Sequence, residues 1–479
     1  MAKAVEQSAH HITAPEDRIP IFQKAVYSIG ALVNQTQAAA ITGLVLVLNL
    51  GLGMSPILVG LVGMIPRLID ANTDPMIGYT SDNTRSRYGR RRLFILFGAL
   101  FSGILFALMF QLYKGQSEMY YFWYFLGFQC LFVIAFAFYS IPWIALGFEM
   151  TPDYHERTRL QGAGNSVAQI AWFCSPWLFT FMYSGSKDLV HGVRWLAVII
   201  GVFIAVGGIL PAIFNKEYFT NLPKPQKKNV MKDFFSGFAI TLKNRPFVKL
   251  CAVTFLVYNG FMLASAFTTY VIFFYVYGRS ASMDIAYSKG GILLGMYGMF
   301  SAFCMSCAIV LITWISTKIG KRNTFLIAIP ISIVGYALKW IGYNPQHPYL
   351  LLIAAPFIAF GLGSVFTIIS SMLADVCDLD ELDNGTRREG TFGAIYWWMI
   401  KLGQAAASLI SGVLLVVTGF NVSFGIQQSA HALLYMRLCD IGIPIVTSII
   451  AIFIILTFDI TEDKAYDIRR QLEARRGKG

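Results

Sequence analysis

Residues 195–214 read Trp-Leu-Ala-Val-Ile-Ile-Gly-Val-Phe-Ile-Ala-Val-Gly-Gly-Ile-Leu-Pro-Ala-Ile-Phe, a stretch without a single charge or amide side chain. About 20 apolar residues in a helix cross the hydrocarbon core of a bilayer, so this run predicts a membrane span. Five more runs of this kind precede it, near Ala25–Asn49, Pro56–Tyr79, Leu93–Leu112, Tyr120–Gly147 and Gly162–Tyr183. Six follow it, near Phe247–Tyr277, Gly290–Ser316, Thr324–Tyr343, Tyr349–Ala374, Thr391–Gly419 and Ala432–Phe458. The fold expected is an all-α membrane protein of twelve transmembrane helices. Its parts are an N-terminal segment (1–24), a six-helix bundle (25–214), a polar linker (215–246), a second six-helix bundle (247–458) and a tail (459–479). Composition agrees: of 479 residues 56% are hydrophobic and 13% charged, where soluble chains carry roughly 25% charged residues.

The net charge of +12 does not point to nucleic acid, because the basic residues sit in short loops between apolar runs. The loops after runs 2, 4, 6, 8 and 10 hold 5, 2, 7, 3 and 2 Lys or Arg, while the odd-numbered loops share only Lys114, Lys187, Arg194, Arg279 and Lys289. That asymmetry predicts cytoplasmic even-numbered loops and cytoplasmic termini; the membrane expected is a bacterial inner membrane. Residues 1–24 are polar and show no cleavable secretory signal, so the first helix is expected to be an uncleaved anchor. Six cysteines fall in apolar runs and Cys377 in an expected loop. Cys304 and Cys307 form a CxxC in mid-membrane with no second pair, which reads as packing. No cofactor is expected, and no metal beyond a transported ion.

An internal repeat divides the chain. Ser81-Asp82-Asn83-Thr84-Arg85-Ser86-Arg87-Tyr88-Gly89-Arg90-Arg91-Arg92 follows run 2, and Ser316-Thr317-Lys318-Ile319-Gly320-Lys321-Arg322 follows run 8. Arg159-Leu160-Gln161-Gly162 after run 4 is echoed by Arg387-Arg388-Glu389-Gly390 after run 10. Two halves with matching punctuation describe a duplicated transporter body. Asp82, Arg87, Gly89, Arg90, Arg91 and Glu149 are expected to act in structure or gating, with the arginines pairing Asp82 or Glu149. The acidic run from Asp375 to Asp383 is expected to meet Arg387 and Arg388 likewise. The linker is expected to lie solvated near the lipid surface.

Ionisable residues inside a bilayer are costly and mark function by default. Run 2 carries Arg67, Asp70, Thr73 and Asp74. Arg67, Asp70 and Asp74 are spaced to share one helical face. Two stacked carboxylates suit a small hard cation or a shared proton, with Arg67 offsetting part of their charge. Lys401, midway along run 11, is expected to approach the pair and respond to its charge. Amides, hydroxyls and rings of the central helices would hold a sugar-like solute by hydrogen bonding and stacking: Asn34, Gln35 and Gln37 in run 1, Tyr139, Ser140 and Trp143 in run 4, Asn165, Gln169 and Trp172 in run 5, Tyr258 and Asn259 in run 7, and Tyr396, Trp397, Trp398 and Gln404 in run 11.

The Arg67–Pro75 stretch with Gly78, then Thr84 to Gly89, resembles the glycoside–pentoside–hexuronide:cation symporters of the major facilitator superfamily. Tyr27-Ser-Ile-Gly30-Ala, Ile141-Pro142, Asp375 with Asp378, and Lys401 extend the likeness over nearly the whole chain. The resemblance implies two six-helix bundles, alternating access, and a cation site at Asp70 and Asp74 with Lys401 nearby; Thr73, between them in sequence, is expected to join that site. The coupling ion would be H⁺ or Na⁺. The sugar-binding positions depart from the family's best-known permease. Asn34-Gln35 replaces a Lys-Asp pair, Ser140 an acidic residue, Asn165 about where an arginine is expected, and Ala137 a sodium-helping threonine. The function expected is cation-coupled symport of a glycoside, oligosaccharide or uronate by a single chain working as a monomer in lipid. A transporter of a lysolipid or other amphiphile is the alternative reading. A non-transporting sensor would carry a sizeable soluble domain, and an enzyme would need a nucleophile–base pair or a metal cluster; neither is visible.

Overall fold

A computed structural model describes residues 18–84, 86, 88–151, 153–185, 188–216, 241–278, 280, 282–385 and 389–475, without the side chains of residues 82, 83, 154, 155, 389, 390 and 473. Arg85, Arg87, Arg387, Arg388, the side chain of Asp82 and most of the linker therefore lie outside the described residues. Within them all regular structure is helical. The long helices are α1 (Ile21–Leu50), α2 (Pro56–Asn83), α3 (Arg92–Met109), α4 (Glu118–Glu149), α5 (Tyr154–Cys174, continued by Leu178–Ser184) and α6 (Leu189–Phe214). The second half holds α7 (Arg245–Val276), α8 (Met283–Ile319), α9 (Lys321–Gly342), α10 (Pro348–Asn384), α11 (Glu389–Val417) and α12 (Ala430–Leu456), and α13 (Glu462–Arg475) follows. Ten of these are long and apolar enough to cross a membrane. Of the other three, α13 is polar, while α2 and α5 interrupt their apolar stretches with Arg67, Asp70 and Asp74, or with Asn165 and Gln169. The chain is a multi-pass integral membrane protein.

Capping explains where many helices begin. Ser117, Asp153, Asp188, Asn244, Ser282 and Ser429 each accept a hydrogen bond from a first-turn amide of α4, α5, α6, α7, α8 and α12, filling donors the helix itself leaves unpaired. Helix boundaries depart from the sequence expectation by up to ten residues, most at the end of α10. The tenth helix continues ten residues beyond Ala374 to Asn384, where Gly385 takes the left-handed φ of +68° that ends it. Leu373, Val376, Leu379 and Leu382 recur at helical spacing and join one apolar cluster with Ile468 and Leu472 of α13. Cys377 is therefore buried in α10 and does not lie in a loop, and much of the expected tail is the helix that covers it. Arg475 donates to the Leu382 carbonyl at 2.7 Å.

The repeat is visible in three dimensions. Gly89 and Gly320 both take positive φ, +107° and +80°. Arg92 then donates to the carbonyls of Ala212 and Ile213 at the end of α6, and Arg322 to those of Ile455 and Leu456 at the end of α12. Each guanidinium meets the negative end of a helix dipole. Arg90 and Arg91 pair with Glu149. The matching contact in the second half is Lys321 on Asp375, 2.7 Å from both carboxylate oxygens; the partner of Asp375 is thus the first residue of α9 and not the expected arginines. At the start of α5, Glu156 accepts from the Ile19 amide at 3.0 Å and pairs with Lys24 at 2.5 Å. Burial raises its carboxyl, but these hydrogen bonds outweigh burial and hold it below the usual carboxylate range. A depressed carboxyl stabilises the fold at neutral pH and loses that contribution as pH falls through its titration.

In the first half α1 packs on α5 and α6, α3 on α4 and α6, and α2 on α4; in the second, α7 packs on α12, α8 on α10, and α9 on α10 and α12. The halves meet along two seams, α2 on α11 and α5 on α8, at the end bearing the odd-numbered loops. Glycine permits the first: a Cβ on Gly60 would lie 2.7 Å from the Ser408 carbonyl oxygen, and one on Gly412 would lie 2.2 Å from that of Pro56. At the second seam Gly295 lies against the Trp177 ring and Gly298 against Pro176. Gly412→Val is expected to leave the protein inserted but hold the first seam apart. Uptake should fall by at least about tenfold, because backbone atoms on both sides cannot yield; a transport assay beside an expression control checks this.

Candidate functional site

Arg67, Asp70 and Asp74 lie on successive turns of α2, which passes through the mid-depth of the bundle, and Lys401 lies midway along α11 in the other half. The Lys401 ammonium is 2.8 Å from Asp70 Oδ2 and also bonds Asp74 Oδ2. One ammonium from the second half thus sits between two carboxylates of the first. Asp70 is 8% exposed. In such surroundings opposite charges attract more strongly than in water, and separating them leaves buried charge uncompensated.

Arg67 does not join this triad. Its Nη1 donates to Gln404 Oε1 at 2.8 Å, and Gln404 Nε2 donates to the Tyr258 hydroxyl at 2.8 Å. This chain links α2, α11 and α7 one turn nearer the closed end. The formal charges of Asp70, Asp74, Lys401 and Arg67 sum to zero, yet both cations are not equally engaged: one meets carboxylates, the other a neutral amide. Thr73 turns its hydroxyl to the Asp70 backbone carbonyl at 3.3 Å, within its own helix. The arrangement can therefore hold one positive charge between two carboxylates, and the charge it holds is carried by Lys401.

The polar residues form a second group on α1, α4 and α5. Asn165, Gln169 and Trp172 share one face of α5, and all three are exposed. Trp172 donates to Gln35 Oε1 at 3.0 Å, joining this stripe to α1. Asn34 Oδ1, both amide atoms of Gln37 and Trp143 Nε1 are buried and have no hydrogen-bond partner among the described residues. Unpaired buried polar atoms are costly, so such positions call for a ligand or water. Trp143 stacks on Tyr27 with ring centroids 4.8 Å apart. Tyr139, expected among the solute contacts, is closed off: its ring is fully buried and its hydroxyl donates to the Gly30 carbonyl at 2.9 Å, fixing α4 to α1. Ser140 is buried beside it. On α11, Trp397 lies one turn before Lys401 on the same face and is 56% exposed, with Trp398 next to it and half-buried. Gln404 is engaged as described. Tyr258, Asn259 and Tyr396 border a small cleft between α7 and α11. In the expected gating set, Gly89, Arg90, Arg91 and Glu149 come together at the even-loop end.

Three intramembrane charges are absent from the sequence-based candidates: Lys339 on α9, and Arg437 and Asp440 on α12. Each stands inside an apolar run, so the rule that picks out Asp70 and Lys401 also finds them once applied to runs 9 and 12. Lys339 and Asp440 form an ion pair at 2.7 Å.

Residues 26–462 match the family described as MFS/sugar transport protein. Among characterised relatives, the chain is similar to an isoprimeverose transporter of Lactiplantibacillus pentosus, with 25% identity over 82% of this chain and 79% of the relative. It is also similar to a glucuronide carrier protein homolog of Escherichia coli (strain K12), with 22% identity over 88% of this chain and 89% of the relative. In fold it resembles the crystal structure of a bacterial homolog of the human lysosomal transporter Spinster in an inward-facing, unoccupied conformation, with a TM-score of 0.65, 15% identity, and coverage of 93% and 97%. The twelve-helix body, its two seams and a family match over nearly the whole length lead to one conclusion: the chain belongs to the family of MFS/sugar transport proteins.

Proposed function

We propose that this protein is a proton-coupled symporter that carries a glycoside, oligosaccharide or uronate into the cytoplasm by alternating access, with the even-numbered loops and both termini cytoplasmic. The observation that carries the reading is Lys401 of one half lying between Asp70 and Asp74 of the other. With both carboxylates ionised, the ammonium ties α2 to α11. A proton taken up by either carboxylate weakens that tie and lets the two helices re-pair, so ion binding and rearrangement of the halves become one event. The solute would lie between the α5 stripe, Asn34 and Gln37 of α1, and Trp397 of α11. The relatives named for isoprimeverose and glucuronide favour a sugar or sugar acid.

Protons are favoured over sodium by the shortage of other oxygens. A hard cation needs several oxygen ligands at once, whereas the Thr73 hydroxyl is turned to its own helix and position 137 is a buried alanine. Purified protein in proteoliposomes, offered isoprimeverose, a xyloside, an aryl glucuronide and free glucuronate, tests the reading. A pH gradient at equal sodium is expected to drive accumulation of at least one solute, and an uncoupler to abolish it. Accumulation driven by sodium at equal pH would overturn the choice of ion. No accumulation of any of these solutes under either gradient would overturn the sugar reading.

A further inference from the structure

A second charged cluster lies apart from the Asp70–Asp74–Lys401 site, wholly inside the second half. Lys339 of α9 is 1% exposed, Asp440 of α12 0%, Thr268 of α7 3%, and Tyr343, just after α9, 2%. The Lys339 ammonium is 2.7 Å from Asp440 Oδ1 and 2.8 Å from the Thr268 hydroxyl oxygen. Tyr343 donates to Asp440 Oδ2 at 2.6 Å. The Thr268 hydroxyl has two acceptors in reach, Asp440 Oδ1 at 2.9 Å and the Ala264 carbonyl at 2.8 Å. Both carboxylate oxygens are satisfied, and three helices are tied at one point.

A buried ion pair is weak evidence for stability, since well-packed apolar side chains often serve as well. What this pair can supply is a fixed position, and the residue it fixes is informative. Two residues beyond Thr268, the Tyr270 hydroxyl donates to Asn49 Oδ1 of α1 at 3.0 Å, across the two halves. Asn49 is itself held by its donation to the Met54 carbonyl at 2.7 Å. Immediately afterwards α7 loosens into a π-turn, Ile272–Val276, a feature frequent at functional sites. Phe273 in that turn meets Phe179 of the first half with ring centroids 4.5 Å apart. The stretch of α7 that directly follows Thr268 thus adds contacts to the odd-loop closure beside the α2–α11 and α5–α8 seams.

We propose that Lys339 and Asp440 are positioning residues of this closure: through Thr268 they set the rotation and height of α7, so that Tyr270 meets Asn49 when the odd-loop end closes. The inference rests on the seam and not on which solute or ion is carried. Thr268→Val removes the link to α7 while leaving the Lys339–Asp440 and Tyr343–Asp440 contacts in place. Spin labels at Gln116 and Gln346, exposed positions of the two halves on the odd-loop face, report the opening of that end as a longer distance. The long-distance population is expected to rise roughly fivefold in T268V, the equivalent of one lost hydrogen bond, with the melting temperature close to that of the parent. T268S, which keeps the hydroxyl, is expected to match the parent. An unchanged distance distribution in T268V would overturn the proposal, because a purely structural contact has no reason to bias one end. If T268V did not fold, T268A makes the same comparison. Loss of fold in both, with T268S intact, would also overturn it, since Thr268 would then serve stability alone.

Discussion

Asp70→Asn and Asp74→Asn are each expected to abolish accumulation of solute while leaving the protein in the membrane. One elementary charge crossing a potential of about 100 mV carries roughly 2.3 kcal/mol, enough for a solute gradient of about 50-fold. An asparagine cannot take up the coupling proton, so the ratio of internal to external solute should fall to about 1. The geometry explains why either substitution should suffice. Lys401 is shared between the two carboxylates, and an asparagine at either position mimics the protonated state, so the weakened tie lets the halves move without a proton. Exchange of labelled solute down no net gradient needs only movement of the halves, so it separates lost coupling from lost folding. Undiminished accumulation in both variants would remove these carboxylates from the mechanism.

Lys339→Met should have the largest effect on stability of any single substitution considered. It leaves the Asp440 carboxylate, fully buried, without its ammonium, and breaking a buried pair on one side costs about 3–5 kcal/mol. The apparent melting temperature of purified protein is expected to drop by about 5–15 °C. The double variant K339M/D440L removes both charges and should recover most of that loss. The contrast is Lys114→Ala. Its partner is Asp188 at 2.9 Å, but the two side chains are 58% and 40% exposed, and an exposed pair of this kind contributes about 0–1 kcal/mol. A K114A melting temperature as low as that of K339M would show that burial is not what sets the cost.

The two charge sites differ in how readable they are. Asp70 and Asp74 announce themselves by spacing within one helix, because 3.6 residues per turn puts them on a common face. Lys401 is legible as an expensive residue in an apolar run, but nothing in the chain order states that it meets a carboxylate more than 300 positions away. Lys339 and Asp440 are equally legible as costs, and the same test applied along runs 9 and 12 exposes them. Their pairing is not legible, since it depends on how α9 crosses α12. Tyr139 shows the opposite limit. Its residue type suits a sugar contact, yet packing turns the hydroxyl to the Gly30 carbonyl.

Sequence alone determined what a one-dimensional pattern can carry. The apolar runs specify spans because bilayer thickness sets their length, and the basic loops and the Gly89/Gly320 echo specify the duplication because each half repeats its own punctuation. The carboxylate pair on α2 belongs to the same category. Tertiary structure decided what depends on separate helices meeting. It placed Lys401 between Asp70 and Asp74, gave Arg67 to Gln404, carried α10 on to Gly385 under the cover of α13, and closed the odd-loop end where Gly60 and Gly412 let backbones touch. The physical reason is that spans are fixed by each helix's own exchange of water for lipid. Contacts between helices are fixed by shape and charge on surfaces that only folding brings together.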